Sequence, residues 1–216
     1  ILTKMFFRQM GLLEKALEFH SWIHEYRMHV FYKGHPITIQ DIRNPAIYKF
    51  KVVRNPFERA VSSYIHTMKK EVMHDPVKKI LWRWNANISF KTFLKYLSKI
   101  DINNCDPHYS LQKKFFEFEI PNCFNEIVHL NNVEDRIDEI NKKQGLNFDL
   151  SGLSSHHHSQ ITGEISGNAF NLRWNKIKDN IPEYKHFYNE ALAEKVYKIY
   201  RDDFEAYGFS MNDFPK

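Results

Sequence analysis

The stretch Val52-Val53-Arg54-Asn55-Pro56-Phe57-Glu58-Arg59-Ala60-Val61-Ser62-Ser63-Tyr64 joins a β-branched run, an arginine and a helix start without a gap. Just before it, Tyr48, Phe50 and Val52 alternate with Ile47, Lys49 and Lys51, the period of a strand with one buried face, so Ala46 to Val53 reads as a strand. Asn55 fits a helix cap, Pro56 the first helical position, and Glu58 stands where a capping box places its acid. The strand therefore turns directly into a helix. Such a junction favours an anion, because first-turn N–H groups lack intrahelical acceptors and the helix dipole adds positive potential. Arg54 adds a forked donor at the same place. At the helical repeat, Asn55, Arg59, Ser62 and His66 share one face, while Phe57, Val61, Tyr64 and Met68 share the opposite, apolar one. An ordinary structural turn with a surface arginine has the same short pattern, so the wider sequence has to decide.

Outward from this junction, Thr3 to Phe31 reads as helical with a break at Gly11, and Lys33-Gly34-His35-Pro36 stops it. Trp82 to Leu97 has helical spacing, Asp101 to Gln112 is loop-like, and Glu126 to Leu130 fits a short strand. Val133 to Lys143 places Val133, Ile137 and Ile140 on one helix face. Ser151 to Asn168 shifts to Ser, Gly and His and reads as a long surface loop. A last helix is expected from about Pro182 to Gly208. No internal repeat or linker interrupts the chain, so residues 1–216 are expected to form a single domain of α/β class.

The chain has 216 residues, 43% of them hydrophobic, which suffices for a packed core and excludes a disordered chain. No apolar run is long enough to span a membrane. The formal charge of +5 suits an anionic partner. A nucleic-acid-binding module is disfavoured, because no stretch combines clustered Lys and Arg with stacking aromatics. Two cysteines, Cys105 and Cys123, allow one bridge or two thiols. Neither they with His108, nor His156-His157-His158 with diverging side chains, make a four-ligand site, so no metal is expected.

The pattern Arg-Asn-Pro-Phe-Glu-Arg-x-x-Ser-Ser-Tyr resembles the 3′-phosphate-binding motif of sulfotransferases that use 3′-phosphoadenosine-5′-phosphosulfate (PAPS), with Arg54 and Ser62 on its two phosphate-binding positions. Phe31-Tyr32-Lys33-Gly34-His35 followed by Ala46-Ile47-Tyr48-Lys49-Phe50 is similar to the segment of heparan-sulfate and uronyl 2-O-sulfotransferases that carries a catalytic His, and His35 lies on that His. Those enzymes have His-Gly-His where this chain has Lys33-Gly34-His35. Asp106-Pro107-His108-Tyr109-Ser110-Leu111-Gln112 looks like the Asp-x-His-x-x-x-Gln segment of carbohydrate sulfotransferases, which makes His108 the competing base. The segment through Thr162 takes the place of the family's cofactor-covering loop, which implies a nucleotide contact there.

The resemblance implies a P-loop NTPase-like sulfotransferase core with a short parallel sheet flanked by helices. It implies PAPS as co-substrate, no metal, and sulfuryl transfer to a hydroxyl, most simply of a carbohydrate. The family's Pro-Lys-x-x-x-Thr-like 5′-phosphosulfate loop has no match, and Thr3-Lys4-Met5 resembles the start of the helix that follows it. The loop and first strand are thus expected upstream of Ile1, leaving the chain as given incomplete for catalysis. The alternative is a family member that binds nucleotide or glycan without turnover.

Overall fold

The computed structural model describes residues 2–69, 87–152 and 168–215, and the backbone of 161–163. In chain order its elements are α1 (Leu2–Gln9), α2 (Leu13–Phe19), α3 (Ile23–Tyr26), α4 (Tyr32–Gly34), α5 (Ile39–Arg43), β1 (Phe50–Val53), α6 (Pro56–Lys69), α7 (Phe90–Leu97), α8 (Phe115–Glu119), β2 (Glu126–His129), α9 (Val133–Gln144), β3 (Ile161–Gly163), β4 (Ile181–Pro182), α10 (Glu190–Ile199) and α11 (Arg201–Tyr207). The fold is mixed α/β and mostly helical. Its described strands form two two-stranded sheets, β1 with β2 and β3 with β4, and the second is parallel with Ile161 opposite Ile181. The chain divides into two compact units, Ile1–Val52 with Ile120–His157 and Val53–Glu119 with His158–Lys216.

In the first unit, Met5, Val128, Ile137 and Ile140 form a buried cluster joined by Tyr48, Phe50, Val52 and Val133. The alternation read from the sequence thus holds: the Tyr48, Phe50 and Val52 side of the chain meets the core. Regular strand starts only at Phe50, because Lys49 spends its backbone N–H on the Asn125 side chain and its ammonium on the carbonyls of Asn44 and Ile47. The two ammonium bonds are local and hold a turn rather than a ladder. A second cluster gathers Phe7, Ala16, Ile23 and Tyr26. The first helical region breaks at Gly11, whose φ of +65° is costly for other residues, and again at the extended His20. A π-helical turn at Arg27–Phe31 then leads into α4.

In the second unit, α6 presents Phe57, Val61, Tyr64 and Met68 to a core that includes Phe90, Phe93, Phe187 and Phe204. Burying such side chains contributes roughly 1.5–3 kcal/mol each. The Tyr64 hydroxyl donates to the Ile88 carbonyl at 2.8 Å, so its polar end is satisfied inside that core. Two expectations are corrected here. The region from Ser151 to Asn168 is not loop throughout, since β3 lies within it. The last helix starts at Glu190 rather than near Pro182, because Asn189 caps it, accepting the Leu192 N–H at 3.0 Å, and Tyr188 is extended. Of the helix expected over Trp82 to Leu97, Phe90–Leu97 is helical with Ser89 as its cap, and residues 82–86 lie outside the described residues.

No helix among the described residues is long and apolar enough to cross a membrane. Cys105 and Cys123 are not joined by a disulfide.

Candidate functional site

α6 begins as its sequence requires. Asn55 accepts the Phe57 N–H at 2.9 Å, which satisfies one first-turn donor, and Pro56 has no N–H to satisfy. Glu58 reaches back to Arg54, its carboxylate accepting from Nε at 3.3 Å. Both side chains are about one-fifth exposed, so the pair is partly shielded from water. With Nε held, the two terminal nitrogens of Arg54 donate to hydroxyls: Nη1 to Ser62 Oγ and Nη2 to the Tyr184 OH, each at 2.7 Å. The two hydroxyl oxygens are 3.4 Å apart, and the guanidinium carbon sits 5.4 Å from the centre of the Tyr184 ring. One cationic fork and two hydroxyls thus converge on a small volume, a donor set that fits a phosphate dianion.

The Arg54 backbone is fixed as firmly as its side chain. Its N–H donates to Gln112 Oε1 at 2.8 Å and its carbonyl accepts from Gln112 Nε2 at 2.9 Å. Gln112 is itself anchored from α11, where the Asp203 carboxylate accepts the Gln112 and Lys113 N–H groups at 3.0 and 2.8 Å. Asp203 is fully buried, and desolvation raises its pKa despite those two N–H donors, which pull the other way. The chain of contacts runs from a buried carboxylate through an amide to the arginine.

The loop before Gln112 carries the second histidine candidate. Asp106 Oδ1 accepts the His108 N–H at 2.8 Å, forming a side-chain turn, and lies 2.6 Å from His108 Nδ1. Because a carboxylate in this pair accepts, Nδ1 carries the proton and the lone pair is left on Nε2 when the ring is neutral. Burial works to raise the Asp106 pKa, but its bonds to the His108 backbone and ring outweigh burial and lower it. The His108 ring stacks on that of His66 with centres 3.8 Å apart. α6 supports the loop: Ser63 Oγ is 2.5 Å from the His108 carbonyl, and Arg59 donates to the Pro107 carbonyl at 3.1 Å.

His35, in the first unit, lies on an exposed turn at the end of α4. Its ring stacks on Phe31, with centres 4.6 Å apart and planes 19° from parallel. Nδ1 is 3.1 Å from the Phe31 carbonyl, which only accepts, so this nitrogen bears the proton and Nε2 keeps its lone pair when neutral.

Of the residues singled out in the sequence, the structure brings Arg54 and Ser62 into direct contact and pairs His108 with Asp106. The backbone of Thr162 belongs to β3, and its side chain lies outside the described residues, as do His156-His157-His158. Among the described residues no cluster of His, Cys, Asp or Glu is suited to a metal. Sequence reasoning missed Tyr184, which it placed along the last helix, and the role of Asp203. Gln112 was visible only as the end of a motif.

No curated protein and no solved structure matches the chain. The sequence profile of the sulfotransferase family matches residues 12–210, which take in β1, α6, the Asp106–Gln112 loop and Tyr184. That family implies PAPS as sulfate donor. Matched over nearly its whole length, the chain belongs to the sulfotransferase family.

Proposed function

We propose that the protein transfers a sulfuryl group from PAPS to a carbohydrate hydroxyl, and that Arg54 and Ser62 hold the 3′-phosphate of the nucleotide. The observation that carries this reading is the Arg54 fork meeting two hydroxyls at 2.7 Å each, at the start of a capped helix. In the reaction the acceptor oxygen forms a bond to sulfur as the bond from sulfur to the 5′-phosphate oxygen breaks. The acceptor proton passes to a histidine, and adenosine 3′,5′-bisphosphate departs. A sugar hydroxyl is a weak nucleophile at neutral pH, so a base poised near that pH accelerates the attack.

His35 is the base in this reading, supported by its motif position and by a bare Nε2 set by the Phe31 carbonyl. A second reading assigns the base to His108, favoured by the Asp106 carboxylate, which would stabilise the imidazolium formed as the proton arrives. Thr162 is retained as a nucleotide contact on the strength of its place in the sequence. The family match runs through both compact units, which supports one sulfotransferase domain over residues 1–216 with a P-loop NTPase-like core.

Calorimetric titration tests the nucleotide reading. Adenosine 3′,5′-bisphosphate should bind more tightly than 5′-AMP, and Arg54→Ala should weaken the bisphosphate by about ten- to a hundredfold, the loss of a charge-assisted contact. Equal affinity of the wild type for both nucleotides would remove the assignment. Bisphosphate binding without sulfation of any glycan acceptor by the full gene product would favour a non-catalytic binder.

A further inference from the structure

Among the described residues, the hydrogen-bond pattern around Arg54 leaves protons without acceptors. Ser62 Oγ and the Tyr184 OH each accept an Arg54 N–H at 2.7 Å, so each still has its own hydroxyl proton to give. Among the described residues their sole mutual contact is the long one of 3.4 Å, which uses at most one of those two protons. Among the described residues the carboxylate bonded to the guanidinium is that of Glu58, which accepts at Nε and has no hydrogen bond to either hydroxyl. The cluster is therefore rich in donors and short of acceptors on the side where Ser62 and Tyr184 stand. A phosphate monoester supplies what is missing, since its three terminal oxygens accept several hydrogen bonds at once.

We infer that Tyr184 is a third ligand of the nucleotide's 3′-phosphate, its phenol donating to a phosphate oxygen beside Ser62 while its ring remains against the Arg54 guanidinium. This rests on the reading of Arg54 and Ser62 as the 3′-phosphate site. Tyr184 comes from the short 3-10 turn that follows β4, so the phosphate would be held by residues far apart in the chain. Tyrosine suits the role because its hydroxyl stands on a rigid ring packed over the guanidinium, and little side-chain freedom is lost when it donates.

The test is Tyr184→Phe, which keeps the ring and removes the hydroxyl. Titration with adenosine 3′,5′-bisphosphate should show about a five- to twentyfold loss of affinity, with 5′-AMP binding within twofold of wild type. Ser62→Ala should behave similarly, and the double variant should lose more of the bisphosphate preference than either single variant, with Arg54 sustaining the remainder. A wild type that prefers the bisphosphate, paired with a Tyr184→Phe protein that keeps the full preference, would overturn the inference and leave the hydroxyl as a brace for Arg54. Equal loss for both nucleotides would also overturn it, by assigning Tyr184 a purely structural part. A wild type without preference removes the underlying phosphate reading instead. Thermal melting of each variant separates loss of binding from loss of fold.

Discussion

Arg54 and His35 are both marked by motif in the sequence, yet the structure treats them differently. Arg54 is held through residues 58 and 130 positions away, Gln112 and Tyr184, and both of its backbone polar groups are fixed by one amide side chain. His35 is held by Phe31, four residues earlier, through one carbonyl and one stacked ring on an exposed turn. The first is a site already organised by tertiary contacts. The second is a local turn whose main definition is which ring nitrogen keeps its lone pair. Anion binding profits from fixed donors, because their ordering cost is met in folding rather than at binding. A base needs a lone pair and reach, and a short turn supplies those without a core.

The contrast is most strongly tested by removing each histidine in the full gene product. His35→Ala should lower kcat by about a hundred- to ten-thousandfold, with bisphosphate affinity within about twofold of wild type. If His108→Ala produces that loss while His35→Ala does not, the base belongs to the organised unit, and the contrast between the two sites disappears. Next in size is the buried support of the arginine. Asp203→Asn leaves one of two backbone N–H groups facing an amide NH2, so melting should report a loss of about 1–3 kcal/mol. Bisphosphate affinity should fall with it, since Gln112 loses its anchor; unchanged affinity would mean that Gln112 needs no support from α11. Gln112→Ala should weaken the bisphosphate by about three- to tenfold, as the Arg54 backbone loses both of its amide partners.

The smallest effects are in the acid titration, where two aspartates of one unit act in opposite directions. Asp106 has a pKa below its ordinary 3.8, so its contribution to stability is present above that value and is lost as pH falls through the lower folded one. Asp203 has a pKa above 3.8, so the folded protein takes up its proton first. Its contribution favours the fold at low pH and declines as pH rises through the raised value. Carboxyl carbon shifts followed by NMR should show Asp203 titrating at higher pH than Asp106. The reverse order would mean that the two N–H donors outweigh burial at Asp203. In the other unit, burial and the Glu126 hydrogen bond push Tyr48 up to about 12, so its phenol should ionise late in an ultraviolet titration.

Local rules made much of this legible. The α6 start was readable because Asn55, Pro56 and Glu58 act within one turn, and the alternation through Tyr48, Phe50 and Val52 marked the buried side of the chain. Glu58 was legible as a first-turn acid but not as the partner of Arg54 Nε. The β3–β4 pairing escaped because two very short segments become strands through each other rather than through their own composition.

The sequence by itself determined the helix cap, the polar face carrying Ser62, the two histidine motifs and the family, since each depends on residue types at short, fixed spacing. Only the tertiary structure decided that Tyr184 faces Arg54, that Gln112 clasps its backbone, and that Asp203 anchors Gln112. Those partners are separated by up to 130 residues, and no local periodicity encodes a pairing made by the packing of a whole core.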